Sequence, residues 1–69
     1  MRLSMRNQLK GKIESITRGE AMAVVKVTLT GGQTITSAIT AGAADDLGLA
    51  PGKAVTVLVK STEVALGVD

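Results

Sequence analysis

Hydroxyl-bearing and cationic residues occur together at three places in this 69-residue chain. They are Ser4-Met5-Arg6-Asn7, Thr40 and Lys60-Ser61-Thr62. Together with nearby backbone N–H groups they supply a guanidinium, an ammonium and several hydroxyls, with few competing acceptors. A tetrahedral oxyanion requires such a donor-rich set, because charge-assisted hydrogen bonds hold it most strongly. The three groups therefore predict an anion-binding site, provided that the fold brings them together.

Each of these groups also has a simpler interpretation. A Ser-x-Arg sequence near the start of a chain is commonly just solvated. A lysine at the end of a strand, such as Lys60, discourages edge-to-edge aggregation of sheets. Thr40 is a suitable N-cap for a short helix, whose first N–H groups and dipole would in turn favour an anion. The residue types alone leave an anion site and ordinary surface roles both open.

The composition excludes most catalytic chemistry. The chain contains no Cys and no His, which rules out disulfides, thiolate or imidazole metal sites and the common nucleophile–base pairs. Its six acidic residues are scattered, and no loop gathers the oxygen ligands that a hard cation requires. We therefore expect a binding protein and not an enzyme, with the acidic residues on the solvated surface.

Alternation of apolar and polar residues predicts mainly β-strands. The predicted elements are a strand from Leu9 with a bulge near Ser15, strands over 21–30 and 33–39, a short helix within 40–49, and strands over 54–60 and 63–68. Gly31-Gly32 predicts a two-residue hairpin, because both glycines can take positive φ. Gly48 is expected to end the helix, and Pro51-Gly52 to form a turn.

This order of elements predicts an all-β fold. The expected architecture is a small OB-like five-stranded barrel with one short helix between strands 3 and 4. A chain of this length allows one domain, which spans residues 1–69. The residues expected to face the barrel interior include Ala23, Val25, Val27, Ile35, Ile39, Val55 and Val57.

The small size of the chain predicts association with further copies. Apolar residues make up 45% of the sequence, but they are mostly Ala and Val and carry little area each. A domain of this size buries only about 60% of its unfolded surface, so the net stability of one copy is close to zero. Met22, Val24 and Leu58 lie on the face opposite the predicted core. That second apolar face is expected to be an interface in a homo-oligomer.

No targeting or membrane-spanning segment is expected. The basic residues near the N-terminus are not followed by the apolar run of a signal peptide. The longest apolar stretch, Ala21 to Val25, is far shorter than the ~20 residues that a spanning helix needs. We expect a soluble intracellular protein without a membrane partner.

A single-stranded nucleic-acid-binding OB module remains the alternative function, since the predicted barrel carries a basic N-terminal segment. The absence of Phe, Tyr and Trp argues against it, because stacking supplies about 1–3 kcal/mol per base. The net charge of +2 is also small for a polyelectrolyte binder. A purely structural assembly that binds nothing specific is a third possibility.

Three separated motifs resemble the molbindin (Mop) family, which is related to the TOBE domains of molybdate transporters and regulators. Residues 4–13, Ser-Met-Arg-Asn-Gln-Leu-Lys-Gly-Lys-Ile, resemble its opening signature. Residues 36–40, Thr-Ser-Ala-Ile-Thr, resemble its central segment, and residues 60–64, Lys-Ser-Thr-Glu-Val, its closing signature. The resemblance covers essentially the whole chain.

The resemblance implies a cytoplasmic molybdate-binding protein that serves intracellular molybdenum storage or homeostasis, without an organic cofactor. It also implies a hexamer, built as a trimer of dimers, that holds the oxyanion between subunits. Tungstate, which is equally unprotonated, is expected to bind as well. By the family pattern, the side chains that hold the anion are Ser4, Arg6, Thr40, Lys60 and Ser61.

Two positions of the expected site depart from the family pattern. Met5 replaces the usual Ala, which leaves a backbone N–H contact possible but changes the local bulk. Ala43 stands where some relatives have a Ser inside the helix, so this position lacks that hydroxyl donor. Both residues are retained as expected oxyanion contacts.

Overall fold

Four antiparallel strands form one curled sheet, a half-barrel with the strand order β3-β2-β1-β4. The computed structural model describes all 69 residues. Its elements are β1 (Asn7–Arg18), β2 (Met22–Leu29), β3 (Thr34–Thr40), α1 (Ala41–Asp46), β4 (Ala54–Val59) and a 3₁₀ helix (Ser61–Glu63). The predicted all-β, OB-like fold with one short helix between the third and fourth strands is confirmed.

The long strand β1 holds the sheet together, because it pairs with a different strand along each half of its length. Its first half pairs with β4, from Asn7 opposite Val59 onward. Its second half pairs with β2, as far as Arg18 opposite Ala23. The register shifts between Ile13 and Ser15, which confirms the predicted bulge. A bulge increases the local twist and bend of a strand, and this allows β1 to serve both halves of the curled sheet.

The core lies on the concave face of the sheet and is small. Ile13, Val25 and Val27 are each 3% exposed and form its centre. Partly buried residues pack around them: Ile16, Leu29, Ile35, Ile39, Leu49, Val55 and Val57. Only five of the 69 residues are buried, the other two being alanines. The period-two pattern therefore predicted the inward face correctly, and the limited burial matches the expected shortage of apolar area.

Gly11 allows β1 to approach β2 closely at the point where the two halves of the sheet overlap. It pairs with Leu29 on one side and Val55 on the other. A Cβ atom at this position would lie 2.6 Å from the Thr28 carbonyl oxygen and 2.8 Å from Cγ1 of Val27. Both distances are shorter than real Cβ atoms tolerate, so only glycine fits here without displacing β2.

The β2–β3 hairpin differs in detail from the prediction. Gly32 has a φ of +93°, but Gly31 does not have a positive φ. The Leu29 N–H donates to the Gln33 carbonyl at 2.7 Å, and the Gly32 N–H donates to the Leu29 carbonyl at 2.8 Å. These bonds enclose a three-residue loop, a common hairpin geometry in which only the last loop residue needs a left-handed conformation. The expected two-residue turn is therefore wrong, although the hairpin itself forms.

Helix α1 is only six residues long. Its N-cap is Thr40, as predicted, and Gly48, with a φ of +60°, follows its end. An ion pair of 2.8 Å between Arg18 and Asp45 ties the helix to the end of β1. The helix therefore closes one end of the half-barrel.

The predicted fifth strand does not form. The chain turns into the 3₁₀ helix directly after β4, and the Glu63 N–H donates to the Lys60 carbonyl at 2.9 Å. Residues 64–69 follow this turn, form no strand and pair with none within the same chain. The half-barrel therefore remains open between its two edge strands, β3 and β4.

Neither helix is long and apolar enough to cross a membrane.

Candidate functional site

The two ends of the chain meet at one end of the sheet. Because Asn7 pairs with Val59, the residues before β1 lie beside the residues after β4. An open depression of about 330 Å³ lies between these segments. Its lining residues are Ser4, Met5, Lys60, Ser61 and Thr62. The fold thus brings together the first and third of the predicted donor groups, and we call this depression the terminal rim site.

Two side-chain hydrogen bonds hold the terminal rim site in shape. The Asn7 side-chain amide donates to the Val59 carbonyl at 3.1 Å, which fixes the start of β1 against the end of β4. The Gln8 side-chain amide donates to the Met5 carbonyl at 2.7 Å and so constrains the segment that carries Ser4 and Met5. Neither Asn7 nor Gln8 belongs to the expected set of anion ligands, although Asn7 lies within the first donor group. Their position directly after Arg6 in the first motif is the sequence feature that could have indicated a role at the site.

The positive charge at the terminal rim site forms no ion pair within the chain. Lys60 is exposed and lines the depression, while Arg6 is exposed beside it in sequence but does not line it. Neither forms an ion pair, since the single salt bridge of the chain joins Arg18 to Asp45. The first twelve residues include four basic residues and no acidic one. Free cationic side chains and hydroxyls at one rim attract a small anion by charge and by hydrogen bonding.

Thr40 and Ala43 lie at the opposite end of the sheet. Thr40 pairs with Met22 at the start of β2. Ala23, which follows Met22 in β2, pairs with Arg18 at the end of β1. The terminal rim site, by contrast, adjoins Asn7 at the start of β1. At about 3.3 Å per residue, the 12 residues of β1 correspond to roughly 35 Å of strand between the two ends. A single chain therefore does not bring Thr40 and Ala43 to the other predicted residues.

Hydrogen bonds within the chain already use part of the donor set at the Thr40 end. The Ala43 N–H donates to the Thr40 hydroxyl oxygen at 3.1 Å, and the Ala41 N–H donates to the Ala21 carbonyl at 2.8 Å. Ala43 thus has neither a side-chain donor nor a free N–H. The Thr40 hydroxyl proton is still available for an external acceptor, because the hydroxyl accepts in the cap.

The cap predicts a measurable effect on stability. Replacing Thr40 with Val removes the hydroxyl at nearly constant volume, and we expect the free energy of unfolding to fall by about 1 kcal/mol. Urea denaturation followed by far-ultraviolet circular dichroism, at one fixed protomer concentration, measures this change. Thr40→Ser keeps the acceptor and is expected to stay near the original value. Equal stability of Thr40→Val and the unchanged protein would show that the hydroxyl contributes nothing as a cap.

The structure contains no cluster of three or more acidic side chains that could hold a bare metal ion. Hydrogen-bond donors and positively charged side chains lie instead at one end of the OB-like half-barrel. That fold defines a class of small OB-like β-domains. Residues 3–66 match the model of the TOBE domain family. The chain belongs to this family and, by its relatives, to the Mop (molbindin) group within it.

The relatives match over the full length of the chain. A "Probable molybdenum-pterin-binding protein" from Haemophilus influenzae is 39% identical over 69 residues, which cover 100% of both chains. "Molybdenum-pterin-binding protein 2" from Clostridium pasteurianum is 41% identical over 66 residues, covering 96% of this chain and 97% of that protein.

Solved structures share the fold closely. MopII from Clostridium pasteurianum superposes with a TM-score of 0.92 at 39% identity, covering 97% of this chain and 100% of that one. A molybdate-binding protein from Sporomusa ovata gives a TM-score of 0.90 at 38% identity, covering 96% and 97%. The cytoplasmic molybdate-binding protein ModG, solved with molybdate bound, gives 0.95 at 42% identity. This chain matches over its entire length and spans 49% of the ModG chain.

Proposed function

We propose that this protein binds molybdate as a free oxyanion and performs no catalysis. The observation that carries the proposal is the terminal rim site, where Ser4 lies beside Lys60 and Ser61 although more than fifty residues separate it from them in the chain. The names of the relatives support the same ligand, since solved structures 38–42% identical to this chain are described as molybdate-binding proteins.

The donor set suits a doubly charged anion. Molybdate at neutral pH has no proton to donate, and its four oxygens accept hydrogen bonds. Arg6 and Lys60 supply charge, while Ser4 and Ser61 supply hydroxyl donors. Each charge-assisted hydrogen bond contributes roughly 1.5–3 kcal/mol. About five such bonds, less the costs of association, leave about 8 kcal/mol, which corresponds to a micromolar site.

A complete site requires more than one copy of the chain. Thr40 lies at the far end of the sheet from Ser4 and Lys60, so the expected set of ligands can converge only between subunits. We propose a homo-oligomer, a hexamer built as a trimer of dimers, with the oxyanion at the subunit interfaces. Such binding also stabilises the assembly by mass action. The small buried core supports this proposal, because one copy alone buries little apolar surface.

The ligand proposed here is the oxyanion alone, without an organic cofactor. The chain has no aromatic side chain that could stack on a pterin ring. Monohydrogen phosphate carries a proton that requires an acceptor, and no carboxylate lines the terminal rim site. Tungstate resembles molybdate in charge and is expected to bind nearly as well. The proposed role is storage or homeostasis of molybdenum in the cytoplasm, the compartment named for ModG.

Calorimetric titration of the purified protein tests this function. Molybdate and tungstate are expected to bind with micromolar affinity, while phosphate binds at least ~10-fold more weakly because its proton lacks an acceptor. Sulfate is also an unprotonated dianion but is smaller than molybdate. Its affinity in the same series therefore measures how far pocket size contributes to selectivity. Native mass spectrometry of the same samples gives the number of subunits and of bound anions. Absence of heat with molybdate would overturn the proposed function.

A further inference from the structure

Met5 is the one hydrophobic residue in the lining of the terminal rim site. The other four lining residues, Ser4, Lys60, Ser61 and Thr62, carry a hydroxyl or an ammonium group. An anion in the depression therefore has hydrogen-bond donors on most sides and a methionine on one. Because methionine supplies no side-chain donor, its contribution to the site differs in kind from that of its neighbours.

The backbone at Met5 is held in a defined position. Met5 is half-buried, whereas Ser4 and Arg6 on either side of it are exposed. The Gln8 side-chain amide donates to the Met5 carbonyl at 2.7 Å. This bond occupies the carbonyl oxygen, an acceptor whose partial negative charge opposes an anion, and it restrains the point from which the side chain extends. Met5 is therefore a constant part of the wall of the depression.

The depression is too open to separate tetrahedral dianions by width. Its volume of about 330 Å³ compares with roughly 30 Å³ for one water molecule in the liquid, so a single oxyanion leaves room for water beside it. Molybdate, tungstate and sulfate each carry two negative charges and no proton, and the same donors suit all three. Selectivity among them then depends on the water that each ion gives up when it binds.

An apolar wall removes water from one side of the anion without supplying a hydrogen bond in its place. The free energy that this dehydration costs rises as the ion becomes smaller, because the same charge is concentrated in a smaller volume. Sulfate is smaller than molybdate and tungstate and therefore holds its water more strongly. The thioether of methionine is also polarisable and gains dispersion energy against a large ion. Both effects favour the larger oxyanions.

We propose that Met5 is a specificity-determining residue, which favours molybdate and tungstate over sulfate by withholding water and hydrogen bonds from one side of the bound anion. This inference rests on the proposed function and deepens it, because it assigns the choice between oxyanions of equal charge to one side chain. The competing explanation is bulk alone, since a side chain that only narrows the depression disfavours the larger ion. The two explanations predict opposite changes in selectivity when Met5 is shortened.

Three variants of Met5 separate apolar character from bulk. Met5→Gln keeps the length of the side chain but adds an amide donor, and the ratio of molybdate affinity to sulfate affinity is expected to fall at least ~5-fold. Met5→Ala admits water to the same side of the anion and is expected to lower the ratio as well. Met5→Leu keeps an apolar side chain of similar volume and is expected to retain the ratio within about twofold. An unchanged ratio in Met5→Gln, or a higher ratio in Met5→Ala, would overturn the proposal.

Isothermal titration of each variant with sodium molybdate and sodium sulfate, at one ionic strength, gives the two affinities. A second measurement on the unmodified protein keeps the proposal testable if a variant fails to fold. The chain contains three methionines, so labelling their methyl groups with ¹³C gives an NMR spectrum of few signals, in which Met5→Leu identifies the Met5 signal. Saturating molybdate is expected to shift that signal and to weaken its cross-relaxation with water. A Met5 methyl signal unchanged by molybdate would overturn the proposal.

The outcomes distinguish this inference from the proposed function. Absence of heat with molybdate, tungstate and sulfate alike would overturn the function, and the role of Met5 with it. Molybdate binding with the same preference over sulfate in Met5→Gln and in the unmodified protein would support the function and overturn the role of Met5 alone.

Discussion

Replacing Arg6 with alanine is expected to weaken molybdate binding by about 10- to 100-fold, the equivalent of one charge-assisted hydrogen bond. The guanidinium makes no hydrogen bond or ion pair within its own chain and is exposed to solvent. Its removal therefore leaves the fold intact, and the loss appears in the binding constant alone. Isothermal titration with molybdate measures the affinity, and circular dichroism confirms that the sheet is preserved.

Two further variants give this prediction its control. Lys60→Gln removes the cationic side chain that lines the terminal rim site and is expected to cause a loss of similar size. Lys26→Gln removes the same charge from the middle of β2, where Lys26 faces away from the core, and is expected to leave affinity within about twofold. If Lys26→Gln weakens binding as much as Arg6→Ala, the anion responds to net charge and the assignment of Arg6 is wrong.

Replacing Gly11 with alanine is expected to lower the free energy of unfolding by about 1–3 kcal/mol, and valine by more. The added Cβ atom would meet the backbone carbonyl of Thr28, which cannot rotate away as a side chain can. Relief requires β1 and β2 to separate where both halves of the sheet depend on their contact. Urea denaturation followed by circular dichroism, at one fixed protomer concentration, measures the loss.

Gly42 provides the matched control for Gly11. A Cβ atom at Gly42 would meet no heavy atom within 4 Å, and its φ is not positive. Because the residue lies in a helix, Gly42→Ala is expected to raise the free energy of unfolding by about 0.4–1 kcal/mol. The same kind of substitution should therefore change stability in opposite directions at the two positions. A loss of stability at both would indicate that close approach of the strands is not the cause.

The sequence predicted the parts of the fold that depend on neighbouring residues. The alternation of residues along β2 predicted which side chains face inward, and Val25 and Val27 lie at the centre of the core. The change of parity between Ile13 and Ile16 located the bulge, since an extra residue in a strand reverses the pattern. Thr40 was predicted as a cap because capping depends only on the next three residues.

Features that depend on distant pairing were not predictable in the same way. A strand pattern over 63–68 indicates an apolar face but does not identify the strand that pairs with it. The three donor groups were recognised from residue type, yet their distribution over two ends of the sheet follows from the register of β1 with β2 and β4. The roles of Asn7 and Gln8 depended on carbonyl groups whose positions only the folded chain defines.

The pairing of β1 with β4 has a consequence for the order in which the chain folds. β1, β2 and β3 follow one another through short turns and form by local contacts, whereas β4 must close a loop of about forty residues before it gains its pairs. Its other edge is unpaired, as is that of β3, so the amides that point away from β1 have little protection from hydrogen exchange. Lys60 and Ser61 follow this late strand. An anion that engages them therefore adds its binding energy next to a strand that gains its pairs late and has one unpaired edge.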